Sequence, residues 1–132
     1  MTIRPWVGAL LLIGLVGGCA PTAPVSDHVS ISFRYSHFDP GLARVPAGVP
    51  VTITLNNGDP IEHEWIVGGP EVHALHRTGT EAFHEGRANE VTVPAFSTRT
   101  TTIEFDQPGD YAFTCHLPGH EAYGMTGTLR VV

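Results

Sequence analysis

From Val29 onward, apolar residues recur at every second position. A helix repeats every 3.6 residues and would scatter such a pattern around its circumference, so a period of two commits the chain to half-buried strands. Val29, Ile31, Phe33 and Tyr35 alternate with Ser30, Ser32, Arg34 and Ser36. Val49, Val51, Ile53 and Leu55 alternate with Pro50, Thr52, Thr54 and Asn56. Ile61, His63, Trp65 and Val67 share the inward face of a third run. Thr101, Ile103 and Phe105 form another, which Pro108-Gly109-Asp110 turns into Tyr111, Phe113 and Cys115; Leu129 and Val131 close the chain facing inward. The runs are punctuated by Asp39-Pro40-Gly41, Pro46-Ala47-Gly48 and Asn57-Gly58-Asp59-Pro60, whose residue types favour tight turns. Short strands so separated predict an all-β sandwich or barrel. With 132 residues there is room for one core of ordinary size. Residues 68–90 read as a long connection with space for a turn or two of helix, and no internal repeat is visible.

The N-terminus does not follow this pattern. Arg4 precedes an apolar run from Trp6 to Val16, which is shorter than the roughly 20 residues a spanning helix needs. A charged start, a short apolar stretch and then small residues make the layout of a secretory signal peptide over residues 1–18. Leu15-Val16-Gly17-Gly18-Cys19 resembles a bacterial lipobox, which implies cleavage before Cys19 and a lipid on its sulfur. The alternative is an ordinary signal that leaves Cys19 free or paired with Cys115. On the lipoprotein reading, residues 19–28 are a tether, 29–132 the domain, and the protein works outside the cytoplasm. It would sit in the periplasm or on the outer face of the cell membrane, held at the surface without spanning it. The net charge of −6 becomes −7 once Arg4 is removed. Thirteen acidic residues against seven arginines and no lysine exclude a nucleic-acid clamp, which needs clustered positive charge. The 42% apolar content excludes a disordered chain.

Eight histidines outnumber the arginines and point towards metal. In Cys115-His116-Leu117-Pro118-Gly119-His120-Glu121-Ala122-Tyr123-Gly124-Met125, a thiolate, an imidazole and a thioether share one loop, with four residues between successive donors. His63 supplies a second imidazole from an inward strand face. One Cys, two His and a distant Met form the donor set of a blue-copper electron-transfer centre. The thiolate is soft and donates strongly, the imidazoles serve both Cu(I) and Cu(II), and the thioether binds weakly. One arrangement held for both oxidation states keeps reorganisation small. Zinc is the common rival for Cys/His sites, but it takes four firm donors and rarely a thioether. A binuclear copper centre needs two cysteines in the loop, where only Cys115 is present.

With these residues in place, the chain resembles the cupredoxin family of type 1 copper proteins, which includes plastocyanin and azurin. The Cys115-x4-His120-x4-Met125 spacing is closest to auracyanin- and rusticyanin-like loops. The resemblance extends over nearly all of 29–132, through Phe38-Asp39-Pro40, Val45-Pro46-Ala47-Gly48, Asn56 to His63, Pro108 to Tyr111 and Gly127 to Val131. It implies a Greek-key sandwich and one copper held by His63, Cys115, His120 and Met125. It also implies a monomeric carrier of single electrons rather than an enzyme. The partner would be a redox protein, such as a cytochrome or an oxidase, docking on the patch around His120. A protein for copper resistance, storage or delivery is the second reading of the same site.

The family commonly has Asn or Ser where this chain has Glu64, and His116 follows the cysteine. Glu64 is expected to approach the Cys115–His116 turn and to bond His116, favouring Cu(II) by its charge; the alternative is a solvated strand carboxylate. His73, His76 and His84 in the long connection are candidates for a second, labile metal site, and the simpler expectation for them is a polar surface loop.

Overall fold

A computed structural model of the chain describes residues 22–79 and 86–132; residues 1–18, where a signal peptide is expected, Cys19 and His84 lie outside them. In order, the elements are β1 (His28–Arg34), β2 (His37–Asp39), β3 (Leu42–Val45), β4 (Pro50–Asn57), β5 (His63–Gly68), α1 (Pro70–Thr78), β6 (Glu90–Val93), β7 (Thr98–Glu104), β8 (Gly109–Thr114) and β9 (Thr126–Val131). They build two sheets, ordered β2-β1-β4-β7 and β3-β9-β8-β5-β6. β1 runs parallel to β4, from His28 opposite Thr52 to Phe33 opposite Asn57. β3 runs parallel to β9, from Leu42 opposite Thr128 to Val45 opposite Val131. Neighbours that are distant in sequence give the expected all-β sandwich of Greek-key type.

The alternation carries the packing. In β4, Val51, Ile53 and Leu55 are fully buried, while Thr52 and Thr54 face partly outward. Across the sandwich they join Ile31 and Phe33 in meeting Trp65, Val67, Phe113, Leu129 and Val131. Each large side chain removed from water in this way contributes about 1.5–3 kcal/mol. Edge-on contacts of Phe38 with Phe33 (5.0 Å) and Phe113 (5.2 Å) close the core near the site.

Alternation fails where strands end. Tyr35 is 87% exposed because it and Ser36 leave β1 in a left-handed turn, with φ of 54° and 56°. Val49 and Ile61 precede β4 and β5 and face outward instead of inward. Thr101 and Ile103 are only half-buried, since β7 is an edge strand.

The connection after β5 holds more helix than a turn or two. Gly68 permits the entry, because a side chain there would collide with Val72 at 2.7 Å. Pro70 sits at the helix start, where its missing N–H costs no hydrogen bond, and Glu71 lies in the positive first turn. Gly79 ends the helix in a left-handed cap, at φ 65°, donating its N–H to His76 O. α1 packs on β5, which explains why Ile66 is buried together with its neighbours Trp65 and Val67. The buried residues of α1 are His73 and His76, so these are not members of a polar surface loop.

The sandwich has two distinct ends. Asn57 at the end of β4, His63 at the start of β5, and the 115–125 loop between β8 and β9 all belong to one end. The first described residues belong to the other. Val25 bridges Arg44, whose guanidinium donates to Ala23 O at 3.2 Å, and Arg44 lies opposite Arg130 late in β9. Among the described residues, no helix is long and apolar enough to cross a membrane.

Candidate metal centre

Two strand junctions bring the donors together. His63 opens β5 and Cys115 directly follows β8; both are completely buried. Met125, also completely buried, precedes β9, and half-buried His120 lies on the turn between the two sulfur residues. The loop is tied to itself. Cys115 N–H donates to Met125 O at 3.1 Å, Met125 N–H to His120 O at 3.0 Å, and His120 N–H to Leu117 O at 3.0 Å. Gly119 makes this path possible at φ +86°. The side chains are therefore placed by backbone bonds that do not depend on a metal.

His63 Nδ1 lies 3.2 Å from His120 Nδ1, and Cys115 Sγ lies 3.2 Å from the same His120 nitrogen. All three donor atoms fall within 4.8 Å of one another, and they form the only such Cys/His/carboxylate group among the described residues. The other His63 nitrogen, Nε2, meets Asp59 Oδ2 at 2.9 Å and donates its proton there. That leaves Nδ1 as a bare lone pair directed at the second imidazole and the sulfur. Donors bound to one metal at about 2.0–2.3 Å stand roughly 3–3.5 Å apart, which matches both separations from His120 Nδ1. With a buried thioether at the end of the same loop, the set suits one type 1 copper better than zinc.

The electrostatics agree. Burial raises the Cys115 thiol above its ordinary pKa, and the Glu64 charge adds to this; N–H groups of Glu64 and Leu117 act in the opposite direction. The Glu64 N–H donates to Sγ at 3.4 Å. A cation must therefore displace a proton from the sulfur, which couples loading to pH. Burial, with the neighbouring His63, lowers the His120 pKa, keeping its ring neutral and able to ligate. Burial pushes the Asp59 carboxyl up, but the N–H groups of Ser36 and Tyr35 and the His63 ring outweigh it and hold its pKa below the usual value.

Glu64 reaches the cysteine through its backbone N–H, and its carboxylate does not pair with His116. Both nitrogens of the His116 ring point elsewhere: Nε2 lies 2.9 Å from His73 Nδ1, and Nδ1 lies 3.4 Å from Glu121 Oε2. The His116 ring also stacks on His76, at 5.4 Å between centroids. His73 Nε2 donates to Ala112 O at 3.1 Å, so the three rings form a buried, internally bonded cluster behind the ligand loop. Burial lowers the His116 pKa to about 4 and also lowers that of His73. Glu121 is gripped by Arg77, whose Nε lies 3.0 Å from both carboxylate oxygens.

Asp59 is the residue of this site that sequence patterning does not reveal. It sits in a turn motif, where Asp has an ordinary local explanation. A usable signal was its spacing of four residues before His63.

A model of the cupredoxin-like domain matches residues 7–131. The chain is 30% identical over 97 residues to the copper-resistant cuproprotein CopI of Rubrivivax gelatinosus, a match spanning 71% of this chain and 59% of that protein. The chain thus accounts for about three-fifths of that relative's length. Among solved structures, dithionite-reduced auracyanin of the photosynthetic bacterium Roseiflexus castenholzii superposes with a TM-score of 0.71 at 23% identity, over 83% of this chain and 99% of its own. Auracyanin A, a "blue" copper protein of Chloroflexus aurantiacus, gives a TM-score of 0.62 at 25% identity, covering 83% of this chain and 100% of its own.

Proposed function

Since this chain belongs to the cupredoxin-like domain family, we propose that it carries single electrons through one type 1 copper held by His63, Cys115, His120 and Met125. The observation that carries this reading is the convergence of His63 Nδ1 and Cys115 Sγ, each 3.2 Å from His120 Nδ1, at a ligand loop fixed by its own backbone. Copper bound there supplies the one-electron couple. The residues do the rest. Phe33 packs edge-on to His63 at 5.9 Å, and the buried Trp65 and Phe113 exclude water behind the thiolate. Donors so confined keep nearly the same positions in both oxidation states, which is what fast exchange requires. No substrate chemistry is proposed, because the four donors fill the coordination sphere.

The route in and out is the half-buried His120. Around it Tyr123 is 75% exposed and Ile61 47%, with Leu117 and Pro118 beside them. A small, weakly charged patch suits brief complexes with a cytochrome or an oxidase, and the overall charge of −6 favours a basic partner. The chain acts as a monomer, exported by residues 1–18 and held at the membrane surface by a lipid on Cys19; the Leu15 to Cys19 motif supports this placement.

Copper resistance or delivery is the second reading, favoured by the CopI relative. Stopped-flow reduction by a small basic c-type cytochrome separates the two. Electron carriage predicts an intense visible thiolate-to-copper band that bleaches rapidly on mixing. Slow bleaching combined with Cu(I) retained against a strong chelator would assign the protein to sequestration.

A further inference from the structure

One carboxylate beside the site is more heavily engaged than a turn residue requires. Asp59 Oδ1 accepts the Tyr35 N–H at 2.7 Å, while Oδ2 accepts both the Ser36 N–H at 2.8 Å and the His63 Nε2–H at 2.9 Å. Its own N–H donates to Asn57 Oδ1 at 2.9 Å, and its carbonyl accepts the Phe96 N–H at 3.2 Å. Asn57 in turn donates to Ile61 O and Val93 O, which pins the turn leading into His63. The residue is 7% exposed. Tyr35 and Ser36 hold left-handed backbone conformations, at φ of 54° and 56°, in the act of donating to it. Bulky residues adopt that region only when the surroundings enforce it.

We propose that Asp59 is a positioning residue for the copper centre, fixing His63 with its proton on Nε2 and its lone pair on Nδ1 and placing a permanent negative charge against the ligand ring. This rests on the copper reading above and deepens it. The orientation comes from backbone donors 23 and 24 residues away, so the carboxylate stays in place whether or not a metal is bound. A neutral carbonyl would select the same tautomer. A carboxylate does more: its charge-assisted bond makes the imidazole a stronger donor. The higher oxidation state carries the larger charge and gains more from this. Asp59 therefore shifts the centre towards Cu(II) and lowers its reduction potential relative to a neutral partner.

The test uses the full copper-loaded chain and the Asp59→Asn variant, which keeps an acceptor oxygen of similar size but removes the charge. The thiolate band should persist, while Cu(II) affinity falls about tenfold or more relative to Cu(I). Each factor of ten raises the potential by about 59 mV. An intact band with an unchanged potential overturns the proposal, because a purely structural role would leave the potential where it was. Nitrogen-15 NMR of His63 in the copper-free parent provides a readout needing neither folding of the variant nor metal. A protonated Nε2 and bare Nδ1 are expected, and the opposite tautomer overturns the assignment. A parent that takes up copper without the thiolate band defeats the electron-carrier reading instead, and the tautomer still decides the role of Asp59.

Discussion

Among the described residues, two pairs of imidazoles meet nitrogen to nitrogen, and they differ in what else reaches the space between the rings. His63 and His120 approach at 3.2 Å; His73 and His116 approach at 2.9 Å. In the second pair, His73 Nε2 gives its proton to the Ala112 carbonyl, leaving Nδ1 to accept from His116 Nε2–H. One shared proton joins the two rings, and the far His116 nitrogen faces Glu121 Oε2 at 3.4 Å, with no third metal donor between the rings. In the first pair, Asp59 takes the outer proton of His63, and the Cys115 sulfur crowds the same space at 3.2 Å. Three metal-donor atoms then face one another within 4.8 Å, and one cation can engage all three at once. Close nitrogens alone do not make a metal site. What counts is whether the surroundings force lone pairs inward and add a third donor.

The largest effect should come from removing that third donor. Cys115→Ser is expected to abolish the thiolate-to-copper band entirely; visible spectroscopy after copper loading checks this, and a surviving band would erase the distinction between the pairs. The second pair should respond through folding instead of metal. His73→Ala leaves copper at one equivalent by titration calorimetry but strands the Ala112 carbonyl and the His116 N–H, destabilising the protein by about 1–3 kcal/mol in urea. The same cluster sets an acid limit. His116 has a folded pKa of about 4, below its ordinary 6.5, so the unfolded chain binds more protons between those values. Stability is therefore complete above about pH 6.5 and declines as pH falls towards 4, by up to about 3 kcal/mol; urea midpoints at pH 7 and pH 5 measure the slope. The smallest effect should follow Glu64→Asn, which keeps the backbone N–H to sulfur and removes only a carboxylate charge that raises the Cys115 pKa. A rise in reduction potential smaller than that of Asp59→Asn is expected, and redox titration of both variants ranks them.

Much of this was legible along the chain because the relevant physics is local. The two-residue period marked β1 and β4, and the spacing of Cys115, His120 and Met125 placed three donors on one turn before any strand pairing was known. The β3 and β6 strands escaped notice because four residues are too few to display a period. Tyr35, Val49 and Ile61 continued an alternation that the backbone had already abandoned. His73 and His76 read as a polar loop since nothing nearby in sequence reveals that His116, some forty residues on, waits beneath them. Asp59 was hidden for the same reason: its donors come from a turn that precedes it by more than twenty residues.

The early segment running from Ala23 to Ser26 lies against Arg44, and β1 then climbs seven residues, about 20 Å, before reaching the level of Asn57. Anything that grips the polypeptide upstream of residue 22 must hold it by the pole remote from His120. A molecule moored that way would present its His120 end outward like a lamp on a post, open to passing partners and clear of its own anchorage.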